Sequence, residues 1–105
     1  MQGRSVNFFI DSEQLPDVLQ AIDENVVPRF TALPHFVGLV VLRSRHGART
    51  EVTGISLWDG ELEDSEEIAA EFRKEVHRVA GTSASRKEFD VLRLEFRDGG
   101  AGVQR

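Results

Sequence analysis

Apolar residues along the chain recur with two periods, and the switches between them give the order of elements. Residues 6–10 (Val-Asn-Phe-Phe-Ile) form a short, largely apolar run closed by Asp11 and Ser12, which reads as a first strand. With so little alternation, both of its faces are expected to be at least partly covered. Asp11 and Gln14 have the spacing of a capping box, and Leu15, Val18, Leu19, Ile22, Val26 and Phe30 follow at helical spacing. Pro16 falls in the opening turn, where a missing N–H costs little, whereas Pro28 is expected to kink or end this first helix near Val27. Residues 36–45, rich in Val and Leu, make a second strand, with Gly38 marking a bulge or the close approach of another backbone. A turn over residues 44–48 places Gly47 at positive φ. Residues 52–58 form a third strand, with Ile55 and Leu57 on one face and Val52, Gly54, Ser56 and Trp58 on the other.

An acidic connection over residues 59–67 then feeds a second helix, with Asp64 or Ser65 as its cap and Glu66 and Glu67 meeting the positive end of its dipole. Ile68, Ala69, Phe72, Val76, Val79 and Ala80 make its apolar stripe, and Gly81 ends it. After a polar loop, residues 89–97 read as a fourth strand with Leu92, Leu94 and Phe96 on one face, and residues 98–105 as a frayed tail. The order strand, helix, strand, strand, helix, strand is that of a ferredoxin-like α+β domain: a four-stranded antiparallel sheet with both helices on one face. One domain is expected over residues 1–105, with its core in 5–97. Because the strands are apolar on both sides, the face without helices needs a cover, and a second copy of the chain is the simplest one.

Composition narrows the classes of function. A chain of 105 residues supports one core that buries about 60–70% of the unfolded surface. The absence of cysteine removes disulfides, thiolate metal sites and a cysteine nucleophile, and the absence of tyrosine removes a phenolic acid or radical relay. A net charge of −5 argues against a general nucleic-acid binder. The N-terminal apolar run is too short for a signal peptide or a membrane span, so the protein is read as cytoplasmic, without a membrane partner. No phosphate-binding glycine loop, dinucleotide fingerprint, zinc motif or calcium loop occurs. Arg43, Arg45, His46 and Arg49 at the hairpin turn read as a solvated turn that discourages edge pairing.

Three features resemble the antibiotic biosynthesis monooxygenase superfamily of dimeric α+β barrels. The helix end Val-Val-Pro-Arg-Phe leads through Ala-Leu-Pro-His-Phe-Val-Gly into the second strand, the third strand closes on Leu57, Trp58 and Asp59, and the elements agree in order and length. His35 stands where that family often has glycine. The resemblance, over about residues 5–97, implies a homodimer whose sheets pack face to face and a pocket between each sheet and its helices. It also implies oxidation of a small aromatic, quinol or polyketide-type substrate without metal or flavin. The alternatives are a dimeric binding or structural protein without chemistry, and a haem-binding member.

Cofactor-free oxygenation needs an apolar cavity, a proton acceptor and donors to a developing anion. Trp58 is expected as a pocket wall with an indole N–H that orients a ligand oxygen, or as a large core residue. Phe72 and His35 are the other substrate-side candidates, His35 at the pocket mouth or simply at the helix–strand junction. His77, flanking the buried stripe, is the candidate proton acceptor or haem ligand, or else a partly exposed helix histidine. Asn7 is paired with it as a catalytic candidate because the haem-degrading branch has an asparagine on its first strand and a histidine late in its second helix. That branch also has a tryptophan early in the second helix, where this chain has Glu66, Glu67 and Ile68. The working expectation is therefore no cofactor, with haem as the alternative.

Overall fold

The computed structural model describes residues 1–60 and 66–95. The chain runs β1 (Gln2–Asp11), a 3-10 turn (Ser12–Gln14), α1 (Leu15–Ala21), a π-turn (Ile22–Val26), α2 (Val27–Thr31), β2 (Phe36–His46), β3 (Arg49–Trp58), α3 (Glu66–Ala80) and β4 (Ser85–Asp90). The strands form one sheet in the order β2-β3-β1-β4, antiparallel at every pairing. This is the ferredoxin-like βαββαβ arrangement that the element order predicts, with β1 and β3 central.

Alternation along β1 and β3 sorts their side chains. Arg4, Val6, Phe8 and Ile10 pair with Ser56, Gly54, Val52 and Thr50 and are buried with them beneath the helices. Ser5, Asn7, Phe9, Glu51, Thr53, Ile55 and Leu57 face the other way and are exposed or half-buried. Val18, Ile22, Val26 and Phe30 from the first helical arm and Phe72 and Val76 from α3 close the core over the first face. The side chains of Ile68 and Ala69, the caps Asp64 and Ser65, and Phe96 lie outside the described residues.

Local signals hold at the first helix and the turns. The Asp11 N–H donates to Gln14 Oε1 at 3.0 Å, which is half of a capping box. Gly47 and Gly81, both at φ +66°, supply the left-handed positions that close the β2–β3 turn and terminate α3. The register slips between Phe36 and Gly38, so Gly38 marks a bulge.

Three expectations are corrected. The first strand begins at Gln2 rather than Val6, because its buried alternation extends back through Arg4. Of the two outcomes expected at Pro28, a kink or an end near Val27, the end does not occur: α1, the π-turn and α2 follow one another to Thr31, the Val27 N–H bonding to Ile22 O, a five-residue step in place of four. That shift of the ladder just before Pro28 accommodates a residue with no N–H to give. The fourth strand is residues 85–90, not 89–97; Leu92 and Leu94 follow it in irregular backbone and are exposed. No helix among the described residues is long and apolar enough to cross a membrane.

Candidate active site

The sheet's covered face is organised in rows across the strands. One row runs Glu88 (β4), Arg4 (β1), Ser56 (β3) and Leu39 (β2), each directly paired with the next. Arg4 is only 3% exposed, beneath the helices, and its Nη2 donates to Glu88 Oε2 at 2.7 Å. Taking a guanidinium out of water costs several kcal/mol, and the half-exposed Glu88 offsets part of that. An apolar residue of the same size at position 4 would avoid the cost altogether, so the choice of arginine calls for a reason beyond stability.

The row below holds the aromatic wall. Trp58 is fully buried, with its ring edge-to-face against both Phe30 and Phe36 at centroid separations of 5.3 Å. Its indole N–H donates to Ser56 Oγ at 2.8 Å, and the Ser56 hydroxyl donates to the Arg4 carbonyl at 3.3 Å. The indole donor is thus spent inside the protein, on the residue that sits beside Arg4. In the row above Arg4, Gly54 leaves a bare patch of backbone filled by the Phe72 ring; a Cβ on Gly54 would stand 3.4 Å from it. Phe72 also packs edge-on against Phe8, 6.5 Å between centroids.

Two small voids lie among the described residues of this interior. One of about 10 Å³ is lined by Arg4, Val6, Phe30, Leu39, Gly54, Ser56 and Phe72. The other, also about 10 Å³, lies under the seam between the helices, against Ile22, Phe72, Glu75 and Val76. Each has room for about one water molecule. Phe72 borders both.

Trp58 and Phe72 are therefore brought into one buried cluster. The other candidates lie elsewhere. Asn7 is on the opposite, uncovered face of the sheet, where its amide N–H donates to Glu51 Oε2 at 2.9 Å and Thr53 Oγ1 at 2.7 Å. That bond from Asn7, together with His46 Nε2 at 3.2 Å, holds the Glu51 carboxyl below its ordinary value. His77 is exposed on α3, beside a shallow depression shared with Arg73 and Lys74. Asn7 and His77 do not meet within one protomer. His35 is exposed next to the end of β3, its carbonyl accepting the Asp59 N–H at 2.8 Å and its ring against Gly60.

Arg4 is the residue that sequence reasoning passed over, because an arginine next to serine and glycine reads as solvated. Its one sequence signal is that it extends the alternation of Val6, Phe8 and Ile10. Among the described residues no group of three or more His, Asp or Glu is placed to hold a metal ion.

No family model matches the chain, and no curated protein matches it in sequence. Solved structures match its fold. The de novo designed protein Foldit4 superposes with a TM-score of 0.71 at 12% identity, over 86% of this chain and 97% of its own. SnoaB, a cofactor-independent oxygenase from Streptomyces nogalater crystallised as a point mutant, gives a TM-score of 0.60 at 18% identity over 89% and 95%. A dimeric ferredoxin-like protein from an uncultured marine organism gives 0.58 at 12% identity over 92% and 100%. The chain thus has the ferredoxin-like fold of the antibiotic biosynthesis monooxygenase-type proteins, as its sequence resemblance implies.

Proposed function

We propose that the chain is a homodimeric α+β barrel that binds a small aromatic or quinol substrate between sheet and helices and oxidises it with oxygen, without a cofactor. The observation that carries this reading is the buried Arg4, set among Phe30, Phe72 and Ser56 in an otherwise apolar interior. A substrate C–H or O–H that ionises leaves an anion, and a guanidinium in a dry site stabilises it far more than water-exposed charge would. The carbanion gives one electron to oxygen, the radical pair joins in a C–O bond, and the hydroperoxide loses water to leave a carbonyl. The net change is CH2 plus O2 to C=O plus H2O, with every electron supplied by the substrate. In this reading Glu88, paired to Arg4 and half-exposed, takes the substrate proton and releases it to solvent. Trp58 and Phe72 serve as walls. Dimerisation through the uncovered sheet face is supported by its exposed apolar side chains, Phe9, Val40, Leu42 and Phe89, and by the dimeric neighbour.

A second reading, a dimeric binding or structural protein with no reaction, is favoured by the small size of the two voids, about 10 Å³ each, between the described residues of sheet and helices. The likeness to a designed protein points the same way, since a fold does not fix a reaction. Oxygen-electrode measurements with a panel of hydroquinones and anthrones separate the two. Uptake that depends on the protein, and that disappears in Arg4→Met while the circular dichroism spectrum is kept, supports the oxygenase. Absence of uptake across the panel supports the second reading.

A further inference from the structure

The π-turn, the two voids and Phe72 follow one another by contact toward Arg4: Ile22 and Phe72 line one void, and Phe72 and Arg4 line the other. At the surface, the first helical arm and α3 are joined by polar contacts: Asn25 of the π-turn donates to Glu75 Oε1 at 3.1 Å, and Arg29 of α2 pairs with Glu71. Directly beneath, one void touches both sides of this seam, through Ile22 and Glu75. Phe72 closes that void from below and is the roof of the second, whose floor is Arg4, Gly54 and Ser56. Exposed polar pairs of this kind hold weakly, about 0–1 kcal/mol each, so the polar contacts of the seam add little resistance to local opening above the void. A π-turn of this kind inside a helix is frequent at functional sites.

Gly54 gives the ring its seat. Every other position of β3 on the covered face carries a side chain, Thr50, Val52, Ser56 and Trp58, and at Gly54 alone among them the space above the backbone is taken by a ring from α3. We infer that Phe72 is a gate residue that occupies the place of a ligand's aromatic ring above Gly54, and that Arg4 selects ligands bearing one ionised oxygen on that ring. Displacing Phe72 toward the seam joins the two voids to the volume it vacates and opens a flat slot between Gly54 and the helices, ending at the guanidinium. The ligand class is a planar phenol-type aromatic, bound as its anion. A neutral aromatic of the same shape fills the slot without engaging Arg4. This inference rests on the interior being the ligand site.

The probes are 4-nitrophenol, whose absorbance reports its ionisation, and 4-nitroanisole, which has the same ring and cannot ionise. Binding is read from quenching of Trp58, the single tryptophan of the sequence. Phe72→Ala should bind both probes more tightly than wild type and should favour the nitrophenolate by roughly ten- to a hundredfold, the worth of one charge-assisted hydrogen bond. In Phe72→Ala the bound nitrophenol should titrate at a lower pH than the free probe. The double variant Arg4→Met with Phe72→Ala should bind the two probes alike and show no such titration change. Phe72→Leu provides a smaller cavity, and the same ranking is expected, should Phe72→Ala not fold. A folded Phe72 variant that binds neither probe, or that prefers nitrophenolate equally with and without Arg4, overturns the inference. Preferential binding with no oxygen uptake from any quinol would overturn the oxygenase reading and leave this one standing. Oxygen uptake by wild type with no probe binding would do the reverse.

Discussion

Phe8 and Phe9 are consecutive residues of the same type on the same strand, and the sheet treats them as opposites. Phe8 is 2% exposed beneath the helices, and Phe9 is 39% exposed on the other face. The difference extends along the whole sheet. The covered face buries Val6, Phe8, Ile10, Val52 and Trp58, together with Arg4 and Ser56. The uncovered face carries Val40, Leu42, Ile55 and Leu57 on β2 and β3, and the Asn7–Glu51–Thr53 hydrogen-bond group sits directly beside Leu42 and Phe9, which pair with Thr53 and Glu51. On β1 the covered face carries Val6, Phe8 and Ile10 around Arg4, and the other carries Ser5, Asn7 and Phe9; at the two phenylalanines the residue type is the same, and what decides burial is the presence of a cover. An apolar side chain exposed on the uncovered face, such as Phe9, is therefore where the proposed second copy can be tested.

Truncating the two phenylalanines tests this contrast most severely. Phe8→Ala should cost about 3–5 kcal/mol in urea unfolding, the usual cost of emptying a packed aromatic site, and at every protein concentration. Phe9→Ala should leave the isolated protomer nearly unchanged and instead weaken association, so that its cost grows with protein concentration. Equal and concentration-independent losses at the two positions would dissolve the distinction between the faces.

Leu42→Lys sharpens the comparison from the uncovered side. Leu42 is 48% exposed in the protomer, so a lysine there has no folding penalty of note. Buried against a second copy, its unpaired charge should raise the dimer dissociation constant by about a hundredfold or more, visible in sedimentation velocity. A wild-type protein that is already a folded monomer at micromolar concentration would remove the dimer from the proposal.

The parts of this arrangement that were legible beforehand are those governed by neighbours in sequence. The Asp11–Gln14 cap, the turn glycine Gly47, the helix stop at Gly81 and the alternation of β3 are set within a few residues, and the structure has each of them. Residues whose meaning depends on distant partners were not legible. Arg4 is explained by Glu88, 84 positions away, and by a helix roof that its own strand cannot announce. The fourth strand was misplaced because SRKEFD shows no apolar alternation while Leu92 and Leu94 do. An edge strand needs only backbone pairing with β1, and that leaves little trace in side-chain type. Pro28 removes a donor, which local reasoning sees; it does not see the five-residue step at Val27 that lets the helix continue. The candidate site follows the same rule: size and spacing point to Trp58 and Phe72, whereas only family position links Asn7 to His77, and the sheet lies between them.

The smallest expected effect concerns the polar group on the uncovered face, and it distinguishes a structured surface from a merely solvated one. The Asn7 amide, with His46 as a second partner, keeps the Glu51 carboxyl below its ordinary value of 4.5. A carboxyl whose folded pKa is depressed stabilises the fold fully above its unfolded value, and that contribution is lost as pH falls through the lower folded value. Stability measured by urea unfolding should therefore fall more steeply in wild type than in Glu51→Gln as pH drops from the ordinary glutamate range downward, with wild type the more stable at neutrality. The margin should shrink in high salt, since Glu51 is partly exposed and its attraction to His46 is screened. Working below the concentration at which copies associate keeps the effect within one protomer. A wild-type advantage that is the same at neutral and acid pH would mean that the Asn7–Glu51 bond contributes nothing to the folded state. The Asn7–Glu51–Thr53 group would then be ordinary solvated surface, and the apolar side chains beside it, Phe9 and Leu42, would alone be left to specify the proposed partner.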